Sequence, residues 1–495
     1  MRLEIPIVGY APDADPFTQG VITDCQQFIP TTKGYVGAPA EVDLGIDTLP
    51  AHPRGAVSTV LLDGTSRMFA GTQTKIYERT GFTWTDVSRA GDYDNGSDRR
   101  WRFTQFGNAT IATNRADEMQ VSVSSGDFAD LGGSPPKAAI VFTVGDFVMA
   151  LDYDDGVDDY ADGWYCSGIG NHAEWDTTDV ATQSANGRLL DVPGQLRAGA
   201  RLGSQAAAYK ENGIWLGTYQ GSPIVWNWQF IPGGAGCVCQ EALVEVAVNG
   251  GPAHIFVGGD DIYLFDGSRP ISLGTGKVRK FLQDNLNHQY RFLTVSSHDR
   301  ANGIIRFFFV SRSGGGTIPN MCLAYNYLTN QFGRDDQQVY AALEYINANI
   351  TWDDLGTLYS TWDDLPTTIS YDSPFWSASQ TVPAVINVND NLMSLTGESE
   401  FSEFVTGWVG DQDAFTTAQR IRIKFIGPTD ATADLRSYYM NESGEEETVD
   451  NLGLPMNGNK FDFMRSARWH KFEFDFAGDY GVSQIDVTYE IDGTE

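Results

Sequence analysis

Gly258–Asp266 reads GGDDIYLFD: a Gly-Asp turn, then Ile262 and Leu264 alternating with Tyr263 and Phe265. A period of two sends successive side chains to opposite faces of a strand. Glycine beside aspartate supplies the positive φ that a tight hairpin needs. The same plan recurs as FAGTQTKIYE (Phe69–Glu78), FGNATIATN (Phe106–Asn114), VGDFVMALD (Val144–Asp152), ENGIWLGTY (Glu211–Tyr219) and ANGIIRFFF (Ala301–Phe309). Two later copies are LGTLYSTWD (Leu355–Asp363) and NDNLMSLTG (Asn389–Gly397).

The turn glycines of the first six copies, Gly71, Gly107, Gly145, Gly213, Gly259 and Gly303, are separated by 36, 38, 68, 46 and 44 residues. Most of these intervals approach the roughly 40–50 residues of a four-stranded propeller blade. The pattern predicts an all-β chain, an irregular β-propeller of six to eight blades with an additional C-terminal β domain. The long interval is read as an acidic insertion, about Asp154–Ala200. A chain of β-sandwiches is the rival, since it uses the same hairpins with looser spacing.

The pentapeptide TWDDL occurs twice in Thr351–Leu365. A repeated supersecondary unit must anchor each turn in the same way. Trp352 and Trp362 are expected to bury a ring beside the neighbouring unit. Asp353, Asp354, Asp363 and Asp364 are expected to cap turns through side-chain-to-backbone hydrogen bonds.

The organisation expected is residues 1–50 as an N-terminal arm with the first strands, 51–400 as the propeller, and 401–495 as a C-terminal sheet or sandwich. That last region has longer strands and denser cations, at Arg420, Arg422, Lys424, Arg465, Arg468 and Lys471. Convincing amphipathic helices are few, and the best is Lys277–Asn287, with Val278, Phe281, Leu282 and Leu286 at helical spacing. Gly at 53 residues and aromatics at 12% suit many short strands and tight turns.

Acidic residues outnumber basic ones 65 to 33, a net charge of −32. Such a surface does not bind nucleic acid over its whole extent. It suits either a solvated exterior or a wall that duplex DNA must slide past without sticking. No apolar run reaches the roughly 18 residues of a membrane span. Glu4 and Pro6 interrupt the N-terminal apolar stretch, which argues against a signal peptide. The five cysteines are scattered, and Cys237 and Cys239 would share one face of a strand.

Two segments share the pattern D-Y-D-[ND]-G-x-D: Asp92–Asp98 and Asp152–Asp158. Alternating carboxylates around a glycine can focus oxygens on calcium. This makes Asp92, Asp94, Asp98, Asp152, Asp154 and Asp158 the candidate metal ligands, against the alternative of two solvated acidic turns. The six histidines are dispersed, and no P-loop, HExxH or G-x-S-x-G is present. No catalytic residues and no cofactor other than calcium are predicted.

The irregular hairpins, the TWDDL pair, the arm-like N-terminus and Arg465–Gly493 (RSARWHKFEFDFAGDYGVSQIDVTYEIDG) together resemble the tail nozzle, or tail tubular, proteins of short-tailed bacteriophages. The resemblance implies a structural virion protein, assembled in the bacterial host cytoplasm into a homo-oligomer, a hexamer in that family. It implies a portal-adaptor ring and tail fibre proteins as partners, and duplex DNA passing through the lumen. The alternative is a carbohydrate-binding or carbohydrate-degrading propeller, with Trp215, Trp226 and Trp228 as the aromatic surface for a sugar.

Overall fold

The computed structural model describes residues 2–346 and 381–494. The chain is all-β, 3% helical and 52% strand. Among the described residues, six four-stranded antiparallel sheets stand alone as blades. A seventh four-stranded meander, within Val295–Asp335, is the inner end of a ten-stranded sheet. Inner strands begin at Ala56, Arg102, Lys137, Ala198, Leu243, Val295 and Val339. Each packs on the next in chain order, and Val339–Ile346 packs on Ala56–Val60 to close the ring.

Blade stacking explains why several strands are apolar throughout instead of alternating. Ala109–Thr113 and Ile304–Phe309 are buried at every residue, because both faces of a blade are covered by its neighbours. The outer strand Thr83–Asp86 is largely exposed. Apolar clusters accordingly sit between blades: Phe69 and Ile76 meet Ala112 and Phe128, and Val141 and Val148 meet Ile111 and Met119.

The turn glycines fall into two classes that a period of two does not separate. Gly107, Gly145 and Gly303 sit between first and second strands with φ of 59, 56 and 67°. Gly71, Gly213 and Gly259 lie at the hairpin between second and third strands and are absent from the left-handed region. Gly71 is required by packing instead, since a Cβ there would meet Cδ1 of Trp101 at 2.3 Å. The acidic stretch read as an insertion supplies the outer half of the third blade, Asp159–Cys166 and Ala185–Arg188. The helix forms over Arg279–Asn285. Cys237 and Cys239 lie in a turn, not a strand, and their thiols donate to the carbonyls of Cys239 and Thr294. The TWDDL pair lies outside the described residues.

Residues near the N-terminus enter several sheets. Glu41–Asp43 is the outer strand of the last blade, paired with Leu392–Leu395. Val21–Gln26 pairs with Phe401–Thr406, and Arg2–Pro6 pairs with Gly481–Thr494. Phe28–Thr31 adds to the outer strand Gln331–Asp335 of the Val295 blade, and Gly34–Gly37 carries that sheet on to Gly481–Thr494. The C-terminal strands form two sheets that share one core: Phe404, Phe472, Phe474 and Phe476 from one, Ile421, Phe461, Ile485 and Val487 from the other.

Phe28 is fully buried where the two bodies join. Its ring stacks on Tyr35 at 4.7 Å and on Phe404 at 4.6 Å. The Tyr35 hydroxyl donates to the Phe332 carbonyl at 2.5 Å and accepts the Tyr10 N–H at 3.1 Å. Truncating Phe28 removes a ring packed on both sides with no room for collapse. We expect Phe28→Ala to lower the unfolding free energy by about 3–5 kcal/mol, read from urea denaturation. A loss below about 1 kcal/mol would mean that the stack does not join the two bodies.

Candidate functional site

Two connected cavities, about 190 and 280 Å³, open at one mouth of the propeller axis. Their linings share Arg100, Arg102 and Phe292. Most of the lining residues stand at or just before the start of an inner strand. Arg54 precedes Ala56–Val60, Arg100 precedes Arg102–Phe106, Arg197 precedes Ala198–Leu202, and the turn Gln240–Ala242 precedes Leu243–Val248. Because every blade enters the ring at this face, residues far apart in sequence are delivered to one place.

The lining is basic in a chain that is strongly acidic. Arg54, Arg99, Arg100, Arg102, Arg115 and Arg197 contribute to it, against Asp98, Asp152 and Glu241. Arg102 is fully matched: Nε and Nη2 donate to the two oxygens of Glu241 at 3.0 and 3.3 Å, and Nη1 donates to the Ala139 carbonyl at 2.8 Å. Burial lowers its pKa, but the Glu241 charge and hydrogen bonds outweigh this and the net shift is upward. Arg115 reaches Asp152 at 3.3 Å and Asp159 at 2.6 Å.

Three guanidiniums lack that match. Arg100 and Arg197 have no side-chain hydrogen bond or ion pair among the described residues. Arg54 meets only the Gln73 side-chain oxygen at 3.2 Å, and its buried Nη1 has no partner. Burial lowers the pKa of all three, opposed by the charge of Asp98 at Arg54, of Glu241 at Arg100, and of Glu211 and Asp152 at Arg197, while neighbouring arginines add to the lowering at Arg100 and Arg197. Guanidiniums stay charged in proteins, so the shift registers the burial of a charge that these carboxylates offset only in part.

The pair Arg115 and Asp152 is also strained. Both are non-glycine residues in the left-handed region, with φ of 70 and 51°. Asp152 sits at a register shift between Leu151 and Tyr153, a bulge that re-aims its side chain.

The predicted aspartates do not gather into one cage. Asp92 pairs with Lys75 at 3.2 Å, and Asp98 lines the larger cavity. The Asp94 N–H donates to Asp117 at 2.9 Å. Asp154 accepts the Gly156 N–H at 2.7 Å and lies 3.8 Å from Arg115, while Asp158 accepts the Tyr160 hydroxyl at 3.4 Å. Only Asp98 and Asp152 reach the axial mouth, as parts of an arginine network.

Among the described residues, the trio whose carboxylate oxygens lie within 4.8 Å of one another is Glu403, Glu473 and Asp475. It sits on the C-terminal sandwich, where Glu403 faces Asp475 across paired strands. Arg436 pairs with Glu473 and Asp475, the latter at 2.9 Å. Tyr438 donates to Glu473 at 2.5 Å. Burial, then the neighbouring carboxylates, raises the Glu403 pKa, and burial raises that of Asp475. Trp215 and Trp226 are buried and Trp228 is half-buried, packed among Phe147, Phe230 and Trp164. Four of the six C-terminal cations are in ion pairs: Arg420 with Asp462, Arg465 with Asp450, Arg468 with Glu442 at 2.7 Å and Lys471 with Glu447 at 2.5 Å.

No family profile matches the chain, and no curated protein does. Among solved structures, the chain is similar to YCF48 from Cyanidioschyzon merolae at 9% identity, covering 73% of this chain and 99% of that one, with a TM-score of 0.38. It is similar to BamB from Moraxella catarrhalis at 8% identity, covering 72% and 96%, with a TM-score of 0.33. Human WBSCR16 matches at 9% identity over 60% and 85%, with a TM-score of 0.36. The fold assignment rests on the strand pairing.

Asp152 gives the mouth a pH dependence. Burial raises its carboxyl from 3.8 to about 6, with Arg115 pulling in the opposite direction. The folded chain then holds this proton more tightly than the unfolded chain. The cost of ionising Asp152 is absent below about pH 4 and complete above about pH 6. Asp152→Asn should therefore gain stability relative to the wild type as pH rises through this window, by no more than about 3 kcal/mol. Paired thermal melts between pH 4 and 7 measure this, and a constant difference across the range would contradict it.

Proposed function

We propose that the chain is a non-enzymatic structural subunit of a bacteriophage tail nozzle. In this reading copies assemble into a ring below the portal-adaptor ring, extend the DNA channel and meet the tail fibre proteins. The observation that carries the reading is an uncovered apolar edge on the C-terminal sandwich. Thr448–Pro455 and Lys460–Ala467 are the last strands of their two sheets. Val449, Leu452 and Met464 on these strands are 46, 83 and 76% exposed. Open edge strands with apolar side chains invite a further chain to pair or pack. A net charge of −32 keeps such a chain soluble and limits unspecific association, so an uncovered edge points to one chosen contact.

Two further features suit a ring subunit. The ten-stranded sheet ties propeller to sandwich, which favours a body that keeps its shape under load. Among the described residues the cavities at the propeller's axis are small, about 190 and 280 Å³, so a passage for duplex DNA would have to lie between copies. A heterologous contact repeated with a closing rotation makes that ring. The carbohydrate reading has less support, because Trp215 and Trp226 are packed inside and offer no sugar-stacking surface.

Native mass spectrometry and electron microscopy of the purified chain, alone and with an adaptor ring, test the reading. The expected result is a closed oligomer, hexameric on the family resemblance, that Leu452→Lys with Met464→Lys dissociates while the melting temperature of the monomer is unchanged. A chain that stays monomeric at all concentrations and does not join an adaptor would exclude it.

A further inference from the structure

We propose that the arginine-lined mouth of the propeller is a binding site for a small multivalent phosphate, with Arg100 as its central contact and Arg54 and Arg197 on either side. This inference is independent of the nozzle reading. It starts from a mismatch between composition and placement. Carboxylates outnumber cations about two to one, 65 against 33, so a counter-charge is easily supplied by this sequence. Several other arginines have one, as Arg291 with Glu211 and Arg188 with Asp162, and within the mouth Arg102 has Glu241. At this mouth three half-buried guanidiniums have no carboxylate in ion-pair contact among the described residues, only the more distant charges of Asp98, Asp152, Glu211 and Glu241. Arg54 even has a buried nitrogen with no acceptor.

An unpaired charge taken out of water is costly, and a bound anion is the direct way to relieve it. The guanidinium fork matches the oxygen spacing of phosphate and carboxylate alike. Placement selects between them. Arg54, Arg100 and Arg197 approach from three different blades, with Arg100 shared between the two cavities. A carboxylate offers two oxygens in one plane, whereas a phosphate or pyrophosphate presents oxygens in several directions. Arg100 and Arg197 line the larger cavity, about 280 Å³, which admits an anion of that size, and Arg54 lines the smaller cavity that shares Arg100 with it. Asp98 and Asp152 at its wall discourage a long polyanion, so the ligand is a small molecule and not a nucleic-acid backbone.

The site is also built to stay in shape. Arg102 is clamped by Glu241 and the Ala139 carbonyl, and Gln240 holds both the N–H and the carbonyl of Gly199 at 2.7 and 2.9 Å. These contacts fix the blade entrances from which Arg100 and Arg197 emerge. The backbone that carries the arginines is therefore in place before a ligand arrives, and the ordering that remains is that of the arginine side chains themselves.

Isothermal titration calorimetry of the full chain at low salt tests the site, with pyrophosphate, ribose 5-phosphate and citrate as probes and chloride as the baseline. Pyrophosphate should bind once per chain. Binding of ribose 5-phosphate as well would mark a phosphate ester as an accepted source of the group, and pyrophosphate alone would mark the free anion. Arg100→Gln and Arg197→Gln should each weaken pyrophosphate by about tenfold or more. Without ligand, each variant should melt at or above the wild-type temperature, because it loses an unpaired charge; a merely structural arginine would give a lower one. If one variant does not fold, the other carries the test. Absence of binding for both phosphates, undiminished affinity in the folded variants, or tighter binding of citrate would overturn the proposal.

Discussion

The stack of Tyr35, Phe28 and Phe404 is the contact on which the architecture depends. Phe28–Thr31 is at once an extra strand of a propeller blade and a wall of the sandwich core. A ring of blades and a two-sheet sandwich have no intrinsic reason to hold a fixed relation. They acquire one here because a buried aromatic ring contacts both and because the strands beside it run through one sheet. Tyr35 adds direction to what would otherwise be a greasy joint. Its hydroxyl satisfies the Phe332 carbonyl from the blade and the Tyr10 N–H from the strap, so a slip of either would leave a buried polar group unpaired.

Charge follows the same logic of delivery by topology. The chain is strongly acidic, yet several blade entrances bring an arginine to the axis. Arg54, Arg100 and Arg197 each stand one or two residues before an inner strand. No local window of sequence shows this cluster. It becomes visible only when the starts of the inner strands are aligned.

That is also why legibility differs between fold and site. The all-β class, the hairpins and the Arg279–Asn285 helix are written in side-chain periodicity, which is a local property. The role of each hairpin within a blade is not, since first–second and second–third turns share the same alternation and the same glycine. Gly107 and Gly71 look alike in sequence, but one serves backbone conformation and the other makes room for Trp101. The acidic run around Asp159 hid two strands, because Asp and Gly there mask the apolar face carried by Trp164 and Cys166. The paired aspartate motifs drew attention to calcium. Their second copy has Asp152 turned at a bulge toward Arg115, a contact that no spacing rule within the motif encodes. At the C-terminus the density of cations is legible, and the pairing of Arg420, Arg465, Arg468 and Lys471 with carboxylates is not.

Closure sets the order in which these parts can become stable. Glu41–Asp43 completes the last blade only when Leu392–Leu395 is available, and Arg2–Pro6 finds its partner at Gly481–Thr494. These pairings span most of the chain. The entropy of closing such a loop rises only logarithmically with length, so the strap remains affordable in equilibrium terms. The kinetic consequence is larger, because non-local pairings are made late and leave apolar edges uncovered until then. A net charge of −32 is well suited to that interval, since like charge separates incomplete chains whose blades are formed but whose ring is still open. The acidity that separates incomplete chains is a property of the whole sequence, and the arginine mouth is the place where the fold locally reverses it.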